Sequence, residues 1–319
     1  MNHDYEPLHR LFGDRLKRNE ALARYTVARL GGPADALISV GSAAMLNEVA
    51  QAAWQHGIPT RIIGGGANVL FSDLGYRGLI VINDAKAIDI HEDGTVKAES
   101  GAVLTHIARQ SMSKGLAGFE WAVSVPGTLG GAIVNNAGAH GGDTAAVLVS
   151  AEIAFPNGRV ETWAAAKLDY HYRESALKRR QDPFVVLSGT LQLEPGHDPA
   201  ALQAKADGFI AHRKSTQPPG ASLGSMFKNP PGDYAGRLIE AAGLKGIQIG
   251  GVMISPVHAN FFVNTGGGTA SDYLDLIQLA QQIVKAQFGV DLELEVELIG
   301  EGFDNTSPEQ RLTFPKLPL

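Results

Sequence analysis

The groups best placed to do chemistry in this chain are backbone amides. Many of its 38 glycines are bunched, in Gly64-Gly65-Gly66, in a stretch from Gly118 to Gly142, and in Gly266-Gly267-Gly268. Glycine lets the backbone approach a ligand with no Cβ in the way, and successive N–H groups then converge on an anion. The first run ends the apolar strand Arg61-Ile62-Ile63 and continues into Ala67, Asn68, Ser72 and Asp73. A phosphate-holding loop and a tight turn account for it equally well. The second run, GFEWAVSVPGTLGGAIVNNAGAHGG, says more. Pro126-Gly127-Thr128 fixes a turn, Gly130-Gly131-Ala132 keeps the next segment thin, and Asn136-Ala137-Gly138 offers donors and acceptors. Trp121, Val123, Val125, Ile133 and Val134 imply that this stretch is buried, as a wall against a flat, polyfunctional ligand would be. Neither run is a G-x-G-x-x-G fingerprint, and no Gly-Lys-Ser/Thr follows as in a P-loop, so the nucleotide fold is not the common one. The third run reads as a flexible connection between Phe261-Phe262-Val263 and a helix from Ser271.

The remaining candidates are plainer. With no cysteine, the chain has no disulfide, iron-sulfur cluster, thiolate metal site or thiol nucleophile. Its ten histidines show no H-E-x-x-H or other ligand spacing, so no metal is expected. Taken alone, Tyr172-Arg173-Glu174-Ser175 is a polar patch with a solvated or paired arginine, and Gly224-Ser225-Met226-Phe227-Lys228-Asn229-Pro230 is a turn. In Leu292-Glu293-Leu294-Glu295-Val296-Glu297-Leu298 strict alternation puts three carboxylates on one strand face, as a solvated edge would. His258 and Asn260 beside Phe261-Phe262-Val263 suit a buried, hydrogen-bonded histidine. The formal net charge of -6 gives no general attraction to nucleic acid or anionic lipid, so a phosphate must be met by a local site.

The elements that must position these residues form an α+β chain. A length of 319 residues, 44% of them hydrophobic, exceeds one ordinary core and implies two domains. Leu8, Leu11, Phe12 and Leu16 lie at helical spacing, giving an N-terminal helix within 1–20 without the apolar core of a signal peptide. Ser42 caps a helix with Leu46, Val49, Ala53 and Trp54 on one stripe, ended by Gly57 before Arg61-Ile62-Ile63; a buried strand follows from Leu79 to Ile82. Asp93-Gly94 and Asn157-Gly158 are hairpin turn signals, a helix runs from about Leu104 to Lys114, and Phe184 to Leu193 reads as a buried strand. The turn-rich segment Glu194 to Pro199 marks the boundary between a first domain, 21–195, and a smaller α+β domain, 199–300. Helices near Ala200 to His212, Asp233 to Ala242 and Ser271 to Phe288 and a strand from Leu292 to Ile299 build the second. Residues 301–319 form an extended tail. No run is long and uncharged enough to span a bilayer, so a cytoplasmic protein is expected; a monomer is the expectation for its assembly, though no feature of the sequence gives it.

The glycine clusters, in their order and spacing, resemble the FAD-binding domain of the MurB family, UDP-N-acetylenolpyruvoylglucosamine reductases. The likeness runs from Thr26-Val27-Ala28-Arg29-Leu30-Gly31-Gly32-Pro33-Ala34 through Gly64 to Asp73, Glu120 to Gly138, Tyr172 to Ser175, Gly224 to Pro230 and His258-Ala259-Asn260-Phe261, and ends at Glu295 to Gly300. It implies a vanillyl-alcohol-oxidase/PCMH-like FAD-binding domain followed by a substrate domain. FAD would lie on Gly64, Gly65, Gly66, Ala67, Asn68, Pro126, Gly127, Thr128, Gly130, Gly131, Asn136, Ala137 and Gly138. Arg173 takes the position that holds the substrate carboxylate, where a planar fork of donors suits two oxygens, with Tyr172 and Ser175 as supports. Ser225 takes the proton donor's place, Asn229 is a candidate for the substrate diphosphate, and Glu295 would sit beside the substrate carboxylate and support the enolate.

The implied reaction has two half-reactions at one site: NADPH passes hydride to the flavin, then the enolpyruvyl ether of UDP-N-acetylglucosamine takes it to become UDP-N-acetylmuramate. The absent Rossmann fingerprint agrees with NADPH sharing the substrate cleft. A serine hydroxyl is a very weak acid, so it serves only a strongly basic, enolate-like acceptor. Two departures stand out. Ala67 replaces a serine common in relatives, and the segment between Gly189 and Lys205 is short, as in the form of the family that lacks an inserted tyrosine loop. Two rivals share the glycine loops: another flavin oxidase or dehydrogenase of the same FAD fold, and a flavoprotein subunit that only passes electrons to a partner. Neither needs Ser225 or Glu295.

Overall fold

The computed structural model describes residues 3–303. It divides into two compact units, residues 1–20, 34–67 and 78–219, and residues 21–33, 68–77 and 220–319. The boundary expected at 194–199 therefore lies at 219/220, and two short segments of the first half belong to the second unit. The reason is packing. The helix Pro199–Thr216 places Leu202 and Ala206 in the same core as Phe119 and Trp121, and its Lys205 reaches the buried carboxylate of Glu120 at 3.4 Å. The polar turn before it is stitched to the first unit by Ala117 N–H to Glu194 C=O, 2.8 Å, and His197 N–H to Gly115 C=O, 3.0 Å.

In the first unit the helices are α1 (Glu6–Phe12), α2 (Ala43–Gln55), α3 (Leu104–Ser113), α4 (Leu129–Asn135) and α5 (Pro199–Thr216). The N-terminal helix is shorter than its spacing suggested. It gives way to a 3-10 turn and the strand Lys17–Ala21, leaving Leu11 59% exposed while Leu8, Phe12 and Leu16 are buried. Ser42 Oγ accepts from Met45 N–H at the start of α2, whose buried stripe Leu46, Val49 and Ala53 covers a four-stranded sheet in which Thr60–Ile63 pairs parallel with Tyr76–Asn83. The two hairpin signals hold: Ile88–Ile90 pairs antiparallel with Thr95–Glu99, and Leu148–Ala154 with Val160–Ala164, in a five-stranded sheet completed by Val185–Gln192. Gly130-Gly131-Ala132, expected as a thin segment, is the first part of α4.

In the second unit, α6 (Ala235–Ala241) and α7 (Ala270–Phe288) pack with a four-stranded sheet around Phe227, Phe262 and Tyr273. The segments 21–33 and 68–77 are built into this unit. Val69–Phe71 pairs parallel with Glu297–Ile299, and Asp73 accepts from Ala270 N–H at 2.8 Å and Ser271 N–H at 2.9 Å, capping α7 beside its own Thr269–Asp272 capping box. The strand expected over Leu292 to Ile299 shrinks to Glu297–Ile299 plus one bridge between Leu294 and Phe227. Gly266-Gly267-Gly268 is a packed turn instead of a flexible connection: Asn264 Oδ1 accepts from the amides of Gly266 and Gly268, and a Cβ on Gly251 would lie 2.3 Å from Gly268 N. The expected tail lies, beyond residue 303, outside the described residues.

Candidate active site

The first unit supplies a cradle of bare backbone. Gly64, at the end of its strand, lies so close to the start of α4 that a Cβ there would sit 2.2 Å from Thr128 Oγ1, and one on Gly130 would sit 2.9 Å from Ser100 Cβ. Gly64 lets the Gly64–Ala67 loop meet Thr128, and Gly130 lets the start of α4 meet Ser100. Others turn the opposite way. A Cβ on Gly127, whose φ is +123°, would meet nothing within 4 Å, one on Gly131 only Thr128 Oγ1 at 3.8 Å, and Gly65 and Gly131 are exposed. One set of glycines thus permits packing, and the other leaves an open face that a ligand can touch.

The Tyr172–Ser175 turn is tied to the far end of α4. Tyr170 Oη donates to Ile133 C=O at 2.9 Å and Ser175 Oγ to Val134 C=O at 2.6 Å, satisfying carbonyls that the helix end leaves open. Arg173 carries the turn in the left-handed region, φ +57°, and its guanidinium donates to Gly138 C=O at 2.8 Å with the Tyr172 ring 5.2 Å away. Lys178 Nζ donates to Arg173 C=O at 3.2 Å. A non-glycine residue in that region costs energy that its surroundings must repay, and here side chains on both sides of Arg173 do so. Asn136 differs from its sequence reading. It is 5% exposed, with its amide donating to His171 C=O at 3.1 Å and its carbonyl accepting from Ala145 N–H at 3.0 Å, so its side chain is spent on the scaffold and its left-handed backbone ends α4. Nearby, His140 stacks on Phe209 at 4.4 Å and meets Ser124 Oγ at 3.1 Å; burial first, then the charges of His212 and Arg213, holds its imidazole below the ordinary range. Arg213 donates to Ser124 C=O, and burial lowers its affinity for its proton.

The second unit brings Ser225 and Glu295 onto one platform. Glu295 N–H donates to Met226 C=O at 2.9 Å and Lys228 N–H to Glu293 C=O at 2.8 Å, so the stretch after Ser225 runs alongside the stretch that carries Glu295. Buried Asn260 fixes the serine side: its Oδ1 accepts from Phe227 N–H at 3.0 Å, its Nδ2 donates to Phe227 C=O at 2.8 Å, and its own C=O accepts from Met226 N–H at 2.8 Å. Gly224, at φ +78°, supplies the bend that precedes Ser225. Ser225 opens into a cavity of about 390 Å³ whose lining includes Asn229, Tyr234, Arg237, Glu240 and His258. Burial first, then the charge of Lys245, lowers the pKa of His258. Asn229 is exposed, and its Oδ1 accepts from Ala235 N–H at 3.1 Å, leaving its Nδ2 for a ligand. Glu293 and Glu297 are exposed, as alternation predicted, and Glu293 pairs with Lys228. Asn68 was read as part of the cofactor loop, but it belongs to this unit and its side chain reaches Glu295 C=O at 3.0 Å. The work of Asn260 leaves no local signal in the sequence, since its partner Phe227 lies 33 residues away, and Lys178 reaches only five residues back to Arg173 C=O with no motif to mark it.

Residues 34–163 match the family model described as FAD binding domain, and residues 215–299 match that of the UDP-N-acetylenolpyruvoylglucosamine reductase C-terminal domain. The class of protein is thereby an FAD-dependent oxidoreductase of two domains. Among curated relatives, a UDP-N-acetylenolpyruvoylglucosamine reductase of Rubrobacter xylanophilus is 45% identical over 295 residues, 92% of this chain and 98% of its own. One from Bacillus velezensis is 39% identical over 288 residues, 90% and 94% of the two chains. The crystal structure of the reductase from Thermus caldophilus superposes with a TM-score of 0.76 at 32% identity, covering 89% of this chain and 99% of that one. The chain belongs to the UDP-N-acetylenolpyruvoylglucosamine reductase family. The cradle fits the FAD of that class: the open faces of Gly127 and Gly131 offer close backbone approach to a diphosphate and a flat ring system, and the packed faces of Gly64 and Gly130 keep the loops rigid. Among the described residues no helix is long and apolar enough to cross a membrane, and no cluster of three metal-ligating side chains occurs.

Proposed function

We propose that the chain reduces UDP-N-acetylglucosamine enolpyruvate to UDP-N-acetylmuramate with NADPH, as a cytoplasmic monomer, in peptidoglycan precursor synthesis. The observation that carries this reading is the pairing of Ser225 with Glu295, both inside the matched reductase C-terminal domain and held together by the Glu295 N–H to Met226 C=O bond. An oxidase or an electron-transfer subunit with the same FAD-binding domain has no use for such a platform. FAD held on the cradle would supply the hydride chemistry, with NADPH as the source and carbon three of the enolpyruvyl group as the acceptor. The chain's own residues do the rest. Gly64, Gly65, Gly66, Ala67, Pro126, Gly127, Thr128, Gly130, Gly131, Ala137 and Gly138 line the cofactor with backbone. Arg173 holds the substrate carboxylate with a rigid fork, which gains strength as negative charge builds there in the transition state. Ser225 donates the proton to carbon two. A group so weakly acidic can do this only if the acceptor is an enolate-like base and the resulting alkoxide is reprotonated at once. Glu295 supports the enolate, and Asn229 and Tyr172 contact the rest of the substrate. Purified protein should be yellow. Anaerobic NADPH should bleach it, and enolpyruvyl-UDP-N-acetylglucosamine should restore the colour with release of UDP-N-acetylmuramate. Recovery with oxygen or a partner protein alone would overturn the assignment.

A further inference from the structure

We propose that Asn68 is a positioning residue for Glu295 and not a phosphate ligand of the flavin, an inference that rests on the reductase reading for the role of Glu295. The peptide of Glu295 is pinned from two sides. Its N–H is taken by Met226 C=O at 2.9 Å, next to Ser225, and its C=O by Asn68 Nδ2 at 3.0 Å. Asn68 also uses its own carbonyl, which accepts from Glu297 N–H at 3.0 Å. These bonds lead directly into the parallel register Val69 to Glu297, Leu70 to Leu298 and Phe71 to Ile299. Asn68 thus continues the ladder for one residue past its strand, with a side-chain amide standing in for a backbone donor. The chemistry selects asparagine. The partner is a carbonyl, so the bond needs a donor; an ionised aspartate of the same shape would present two acceptors to it, and alanine would present nothing. Without the clamp, the peptide of Glu295 loses one of these two bonds, in a stretch from Leu292 to Val296 whose ladder has a single bridge at Leu294.

The test uses holoenzyme with Asn68→Ala and the isosteric Asn68→Asp. Flavin content and the NADPH half-reaction should stay within about twofold of the parent, while reoxidation by the enolpyruvyl nucleotide slows on the order of ten- to a hundredfold, the usual cost of a misplaced catalytic group. In parallel, amide hydrogen exchange should accelerate in the peptide covering 292–299 and not across the remainder of 220–303. Loss of flavin, or equal slowing of both half-reactions, would return Asn68 to the cofactor site and overturn the proposal. So would unchanged exchange at 292–299, or a uniform rise across the unit in both variants. If the unaltered protein is itself not reoxidised by the enolpyruvyl nucleotide, the functional reading fails, and the exchange arm still decides whether Asn68 holds Glu295.

Discussion

The two units prepare their chemistry in opposite ways. In the first, function rests on absence: glycines remove side chains so that backbone can close on backbone at Gly64 and Gly130 and lie open to a ligand at Gly127 and Gly131. Its one charged candidate, Arg173, stands in a left-handed conformation and is steadied by the carbonyl of Gly138, 35 residues back, and by Lys178, five residues on. In the second, function rests on amide clamps. Asn260 holds the segment after Ser225 from 33 residues away, and Asn68 holds Glu295 from 227 residues away. A cofactor that stays bound needs a wall of fixed shape. A proton donor and its acidic neighbour need a fixed distance, which hydrogen bonds on both sides of one peptide supply.

The contrast can be broken most sharply at Arg173. Arg173→Lys keeps the charge and loses the fork, so reoxidation by the enolpyruvyl substrate should fall about 10²–10³-fold while flavin content is unchanged. Rapid-mixing kinetics of the two half-reactions would show it, and an equal loss in flavin binding would move Arg173 into the cofactor wall. Asn260→Ala should act on stability first. It leaves the buried N–H and C=O of Phe227 unpaired and should cost about 2–4 kcal/mol in denaturant unfolding. The glycines separate packing from binding. Gly64→Ala meets Thr128 Oγ1 and should destabilise by about 1–3 kcal/mol, whereas Gly131→Ala lies on an open helical face, should raise stability by up to about 1 kcal/mol, and should weaken FAD retention. If Gly131→Ala holds FAD as tightly as the parent, that face does not touch the cofactor.

The smallest expected effect is on pH dependence. His140 in the first unit and His258 in the second both titrate below the ordinary 6.5, with burial the leading cause. Below pH 6.5 the unfolded chain then binds more protons than the folded one, so their contribution is complete above that value and is lost as pH falls towards the folded pKa. His258→Gln should flatten the fall in melting temperature between about pH 7 and pH 5. A steeper fall in that variant would contradict the sign.

Much of the first unit was legible because its signals are local. Ser42, Asp93-Gly94 and Asn157-Gly158 act on their neighbours, and the glycine runs are visible as composition. The reading failed where a partner far along the chain decides. Residues 68–77 follow the glycine loop in sequence, yet pairing with Glu297–Ile299 and the Asp73 cap on α7 make them part of the second unit. Alternation in Leu292 to Leu298 identified Glu293 and Glu297 as exposed, but it could not show that only the last part pairs as a strand, because Met226 and Asn68 take the intervening peptide groups. The left-handed turn at Arg173 leaves no mark in sequence, since arginine has no preference for it.

The central claim is that Ser225 supplies a proton and nothing to the flavin. Anaerobic rapid mixing of Ser225→Ala with NADPH should bleach the flavin at the parent rate, and subsequent addition of the enolpyruvyl nucleotide should leave it bleached, with reoxidation slowed by at least about 10²–10⁴-fold. Reoxidation at the parent rate, or equal damage to both steps, would contradict it.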